Sequence, residues 1–139
     1  MALLFGCMAA HVLLAHVVAA PWWVPNLTVA GLVVAVIRTP HRWIALSALA
    51  GLFAILFAVR LAGPLFVSYF LLGGTVRAVT TQWDTSDPRA LGLLVGAASL
   101  LMAGYLVWLD GLWSLPILAG LLAHTAVTTL LVPVLRRCG

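Results

Sequence analysis

The sequence predicts an all-α integral membrane protein, a single bundle of six transmembrane helices over residues 1–139. Three observations predict it. Of 139 residues, 65% are hydrophobic and only 7% charged, the mean hydropathy is +1.21, and the long apolar runs are separated by brief clusters of Pro, Trp and Arg. Soluble domains carry about 25% charged residues, and a chain this poor in polar groups cannot cover its own apolar surface in water. Lipid is the solvent. At ~20 residues per crossing, the length admits about six spans and little else.

The first run, residues 2–20, lacks the Lys or Arg of a secretory n-region and reads as a retained span, although Ala19-Ala20-Pro21 resembles a cleavage site. The second span, 22–37, opens with Pro21-Trp22-Trp23-Val24-Pro25-Asn26, a proline-rich turn with tryptophans at headgroup level. It stops at Arg38-Thr39-Pro40-His41-Arg42. The third, 43–59, ends at Arg60. Gly63-Pro64 reads as a tight reversal into the fourth, 64–76, which closes at Arg77. The one extended polar stretch, 80–89, contains Asp84 and Asp87 beside Pro88, a turn and N-cap opening the fifth span, 90–109. Asp110-Gly111 ends it, and the sixth, 112–135, runs to Arg136-Arg137. Spans two to four are short for a full crossing. A five-span arrangement with a re-entrant segment between Trp43 and Val76 is therefore the alternative.

Charge sets the orientation. With six spans and the N-terminus inside, the cytoplasmic segments hold Arg38, Arg42, Arg77, Arg89, Arg136 and Arg137, leaving only Arg60 outside. The positive-inside bias then places both termini in the cytoplasm. The net charge of +4 is dispersed among loops rather than gathered on a face, so nucleic acid is not expected as a partner. Cys7 and Cys138 have no metal-ligand spacing.

Helices in lipid associate through small residues that let backbones approach. Gly92 and Gly96, extended by Ser99 and Ala103, mark one seam; Ser47, Gly51, Ala54 and Ala58 mark another. Arg60 and Asp110 fall at the same predicted boundary, where a pair would tie two outer turns together. The polar groups at membrane depth are His11, His16, Ser68, Tyr69, His124, Thr125, Thr128 and Thr129. His11 and His16 stand about 140° apart around a helix and cannot jointly grip a metal. His124 and Thr128, at i and i+4, share a face suited to a small polar cavity.

No HExxH, GxSxG, glycine-rich phosphate loop or paired acid at depth is present. Catalysis and ion-coupled transport both ask for convergent ionisable groups, so the expectation is a non-enzymatic protein with no cofactor, no catalytic residue and no metal.

The run Pro25-Asn26-Leu27 opening a short second span and closed by Thr39-Pro40-His41-Arg42 resembles the bacterial rod shape-determining protein MreD family. So do a third span containing Gly51, a turn with Gly63, a fourth span ending in a basic residue, and a last span with Thr128-Thr129, Pro133 and Arg136-Arg137. Two positions depart from the family pattern: Ala58-Val59-Arg60 stands where an acid is frequent, and Thr128 where an Asn is common. The resemblance implies a six-helix fold similar to the substrate-binding subunits of energy-coupling-factor vitamin transporters. It also implies a role in cell elongation: binding the bitopic scaffold MreC through helix packing and, through it, the RodA glycosyltransferase and its class B penicillin-binding partner. The alternatives are a vitamin-binding transporter subunit, for which Ala15 and Ala19 give a small-residue step on span one, or an accessory subunit of another membrane assembly.

Overall fold

A computed structural model describes residues 1–18, 24–57, 62–83, 87–111 and 114–137. All regular elements among them are helical: α1 (Ala2–Val17), α2 (Leu27–Arg38), a 3-10 turn (Pro40–Arg42), α3 (Trp43–Phe57), α4 (Ala62–Val79), α5 (Pro88–Leu109), α6 (Leu115–Leu130) and α7 (Val132–Arg137). An apolar solvent leaves this as the natural outcome, because a helix satisfies its backbone N–H and C=O groups within one segment.

The ends follow local chemistry. Asn26 caps α2, its side chain accepting from the Val29 N–H at 3.2 Å, and Pro40 prevents α2 from continuing. Asp87 caps α5 by accepting from the Arg89 N–H at 2.8 Å, with Pro88 at the first helical position. At the other end of α5, Gly111 takes a left-handed φ of 66°, which a side chain rarely adopts. Gly63-Pro64, expected as a reversal, instead forms the first turn of α4. Proline is accommodated there because first-turn N–H groups have no intrahelical partner. The expected sixth span is interrupted at Leu131, dividing α6 from α7 just before Pro133.

Among the described residues, three segments are long and apolar enough to cross a bilayer: α4, α5, and Leu115–Leu135 across the α6–α7 break. Helix α2 and the segment Pro40–Leu56 pass that test only together, and the chain bends by 119° between them, the geometry of a broken span or a re-entrant loop. Helix α1 is apolar but only 16 residues long. Among the described residues, length and composition by themselves thus account for three or four of the six expected spans. The reason lies chiefly in α2, whose 12 residues rise only about 18 Å against a hydrocarbon thickness of ~30 Å.

Packing explains that short helix. Ten residues of α2, from Leu27 to Val36, are buried, and it touches every other α-helix of the bundle. The remaining helices surround it in antiparallel pairs. Against α1, Gly31 of α2 meets Cys7 and Leu4 while the turn at Pro25 meets His11. Helices α3 and α4 pair most extensively, with Gly51 against Phe66 at one end and Gly73 against Ser47 at the other. Trp43 tilts onto Phe70, which stacks on Phe66. The outer surface is apolar: Val17, Leu56, Leu115 and Leu130 are each at least three-quarters exposed. Such a surface is compatible with contact to lipid tails and makes this a membrane protein.

Antiparallel pairing also sorts the charges. Arg38 ends α2, Arg42 precedes α3, and Arg77 ends α4 one turn beyond the Gly73–Ser47 contact. Arg89 begins α5, whose Gly92 faces Thr129, and Arg137 ends α7. These five arginines lie at one end of the bundle.

Candidate functional site

A polar junction sits at the head of α2, inside an otherwise apolar bundle. A helix beginning among apolar side chains has N–H groups without intrahelical partners, and water is not at hand to satisfy them. Side chains from two other helices complete the junction here. The Asn26 N–H donates to the Thr128 hydroxyl oxygen of α6 at 2.8 Å, and that hydroxyl donates to the His124 carbonyl one turn earlier, also at 2.8 Å. From α1, the His11 Nδ1 bonds the Pro25 carbonyl at 3.0 Å. That carbonyl also accepts from the Leu27 N–H at 2.8 Å. His124 faces the Val24 carbonyl and lies within electrostatic reach of His11.

The residues cooperate because each supplies what the other lacks. Thr128 is fully buried and its hydroxyl both accepts and donates, so no lone group is stranded. Asn26 serves as cap with its side chain and as donor with its backbone. Helices α1, α2 and α6 are thereby fastened at one point. The junction positions helices; it presents no nucleophile beside a base. Among the described residues, no group of three or more His, Cys, Asp or Glu is placed to hold a metal ion.

The sequence-predicted residues fall elsewhere. On α5, a methyl added to Gly96 would lie 2.8 Å from the Thr129 hydroxyl, and one on Gly92 3.8 Å from its methyl, so both glycines face α6 within the bundle. Ser99 is fully buried, and its hydroxyl has no hydrogen-bond partner, nor does that of Thr125 on α6; Ala103 is half-buried. On α3, Ser47 is buried where a methyl on Gly73 would overlap its hydroxyl, Gly51 is buried against Phe66, and Ala54 packs on the core. Asp110 is exposed at the C-cap of α5. Ala58 and Arg60 lie outside the described residues, and with them the Arg60–Asp110 pair, as do Ala19, Asp84 and Cys138.

The sequence puts His124 and Thr128 on one face but gives no sign that His11 of another helix converges with them. Their common target is the Val24–Asn26 backbone, and side-chain identity carries no sign of it. One signal was available: an asparagine cap opening a wholly apolar run needs outside hydrogen-bond partners if that run is buried. His16, by contrast, bonds the Val12 carbonyl of its own helix at 2.8 Å, and Ser68 the Pro64 carbonyl of its own at 2.7 Å.

No family model matches this chain, nor does any curated protein or solved structure.

Proposed function

We propose that this chain is a non-enzymatic scaffold or regulatory subunit of the cell-elongation peptidoglycan synthesis machinery, resembling the MreD family. In this reading it is a multi-pass protein of the bacterial inner membrane with six spans and both termini in the cytoplasm. It binds an MreC-like bitopic protein by helix packing and acts through it on RodA and a class B penicillin-binding synthase. Docking biases the synthase towards its active state.

One observation carries the reading. Two of the stretches that hold the resemblance, Pro25-Asn26-Leu27 and the last span with Thr129 and Pro133, come together where the Asn26 N–H bonds Thr128, the residue that stands where the family commonly has Asn, 102 positions away. A motif whose parts close on one another around a central helix is a fold determinant, which is what a family layout without catalytic residues calls for. The apolar exterior supports action by docking, and the collection of arginines at one end supports the orientation.

The test is copurification from bacterial membranes in mild detergent. Recovery of MreC-like and synthase chains is the expected result. Recovery of ATPase subunits with a bound vitamin would overturn the reading in favour of a transporter subunit, and recovery of no partner would overturn it outright.

A further inference from the structure

Helices α5 and α6 close on one another at Gly96, where an added methyl would lie 2.8 Å from the Thr129 hydroxyl oxygen. Ser99 follows Gly96 along α5, and Thr125 precedes Thr129 along α6. The pair is antiparallel, so both residues lie on the same side of that contact. At ~1.5 Å of rise per residue they stand about 4.5 Å and about 6 Å beyond it, nearly level with one another. Their directions agree as well. Ser99 is about 20° off the line of Gly92, which also faces Thr129, and Thr125 about 40° off the line of Thr129 itself.

Hydroxyls elsewhere in the bundle close onto their own helices. Ser47, Ser68, Thr128 and Thr129 each donate to the carbonyl one turn earlier, at 2.7–2.9 Å. Ser99 and Thr125 do not. Ser99 is fully buried, the Thr125 hydroxyl oxygen is buried too, and neither has a hydrogen-bond partner among the described residues. Leaving a hydroxyl unpaired in apolar surroundings is costly, and turning to the carbonyl one turn earlier would relieve it. Two facing hydroxyls that both forgo that bond are turned towards the seam they share.

We propose that Ser99 and Thr125 hold a single water molecule between them, a polar bridge that fastens α5 to α6. Each hydroxyl both donates and accepts, and a buried water asks for two to four polar partners. Thr129, whose hydroxyl donates to the Thr125 carbonyl at 2.9 Å, retains an acceptor lone pair as a third. The occupant is uncharged because the seam offers it no charge: Arg89 and Asp110 stand at the two ends of α5, and His124 is turned to the Val24 carbonyl. It is small because the Gly96–Thr129 approach does not admit even a methyl group without displacement. The bridge does not depend on the scaffold reading, since it concerns how two helices of this chain are joined.

Solid-state NMR of the full chain in phosphatidylcholine bilayers tests it, through magnetisation transfer from water to the Ser99 and Thr125 β-protons. Transfer to both is expected, with none to the fully buried Val95 one turn away on α5. Ser99→Ala should abolish the transfer at Thr125, and Thr125→Val that at Ser99, whereas Thr125→Ser keeps the hydroxyl and should retain both. In reversible unfolding the two deletions should not add: the double variant should lose no more than the larger single loss. Absence of transfer in the parent, or transfer at Thr125 that survives Ser99→Ala, would overturn the proposal. Deletions that add, or that raise the unfolding midpoint, would mark two separately stranded hydroxyls and overturn it too. Coupled deletions without transfer from water would mean a direct bond between the hydroxyls, and the bridge would be withdrawn.

Discussion

Helices α2 and α6 are both predominantly apolar, yet the bundle treats them oppositely. Ten residues of α2 are buried, whereas only Gly120, Leu121 and Thr128 are buried on α6. Composition does not make the difference. In water an apolar helix is drawn inward by the hydrophobic effect; in lipid the surroundings are as apolar as the side chains and that drive is absent. Close approach and polar satisfaction select the centre instead. Helix α2 has Gly31 to admit α1 and an N-terminus held by α1 and α6, while α6 contributes one polar face and leaves the rest outside.

That comparison breaks most sharply at Gly31. Its added side chain would begin 2.7 Å from the Cys7 Cβ and 2.9 Å from its Sγ, so Gly31→Leu should force α1 from α2 and cost about 3 kcal/mol. Reversible unfolding in mixed micelles measures it, and a parent-like midpoint would show that the two helices are not held at this point. Next is Leu32→Ala, at a fully buried position of α2. It should cost about 2 kcal/mol, the low end for a buried leucine, because lost packing remains while the transfer term from water does not.

Thr128→Val comes third. It keeps the shape but leaves the Asn26 N–H without its acceptor, and about 1 kcal/mol should be lost. Amide exchange at Asn26 and Val29 should rise with it; protection equal to the parent's would remove the junction from any account of how α2 is held. The smallest effect belongs to the outer face of α6. Leu122 is 63% exposed, so Leu122→Ala exchanges lipid contact for lipid contact and should change stability by less than about 0.5 kcal/mol. A larger loss in detergent would reveal that this face is covered.

The small-residue seams show a second contrast, between residues legible by spacing and residues legible only by partner. Gly92, Gly96, Ser47 and Gly51 stand out at four-residue steps, and the structure turns them towards neighbouring helices. Gly73, which admits Ser47, follows no such stripe, and Gly31, which admits Cys7, has a single four-residue step to Ala35. Their necessity comes from the residue opposite, whatever its separation in sequence. His11 and His124 belong with them, since each is explained by a carbonyl on another segment.

By itself the sequence determined the solvent, the helical character and most of the helix ends, because these depend on composition, on proline and on capping side chains within a few residues of one another. Asp87 before Pro88 and Asn26 before Leu27 are of that kind. The tertiary structure alone decided that α2 is the centre, that the chain bends by 119° after it, and that Pro64 sits inside a helix rather than in a reversal. Those outcomes rest on contacts between residues far apart in the chain, chosen by steric fit and by the need to pair every buried backbone donor. No local pattern encodes them.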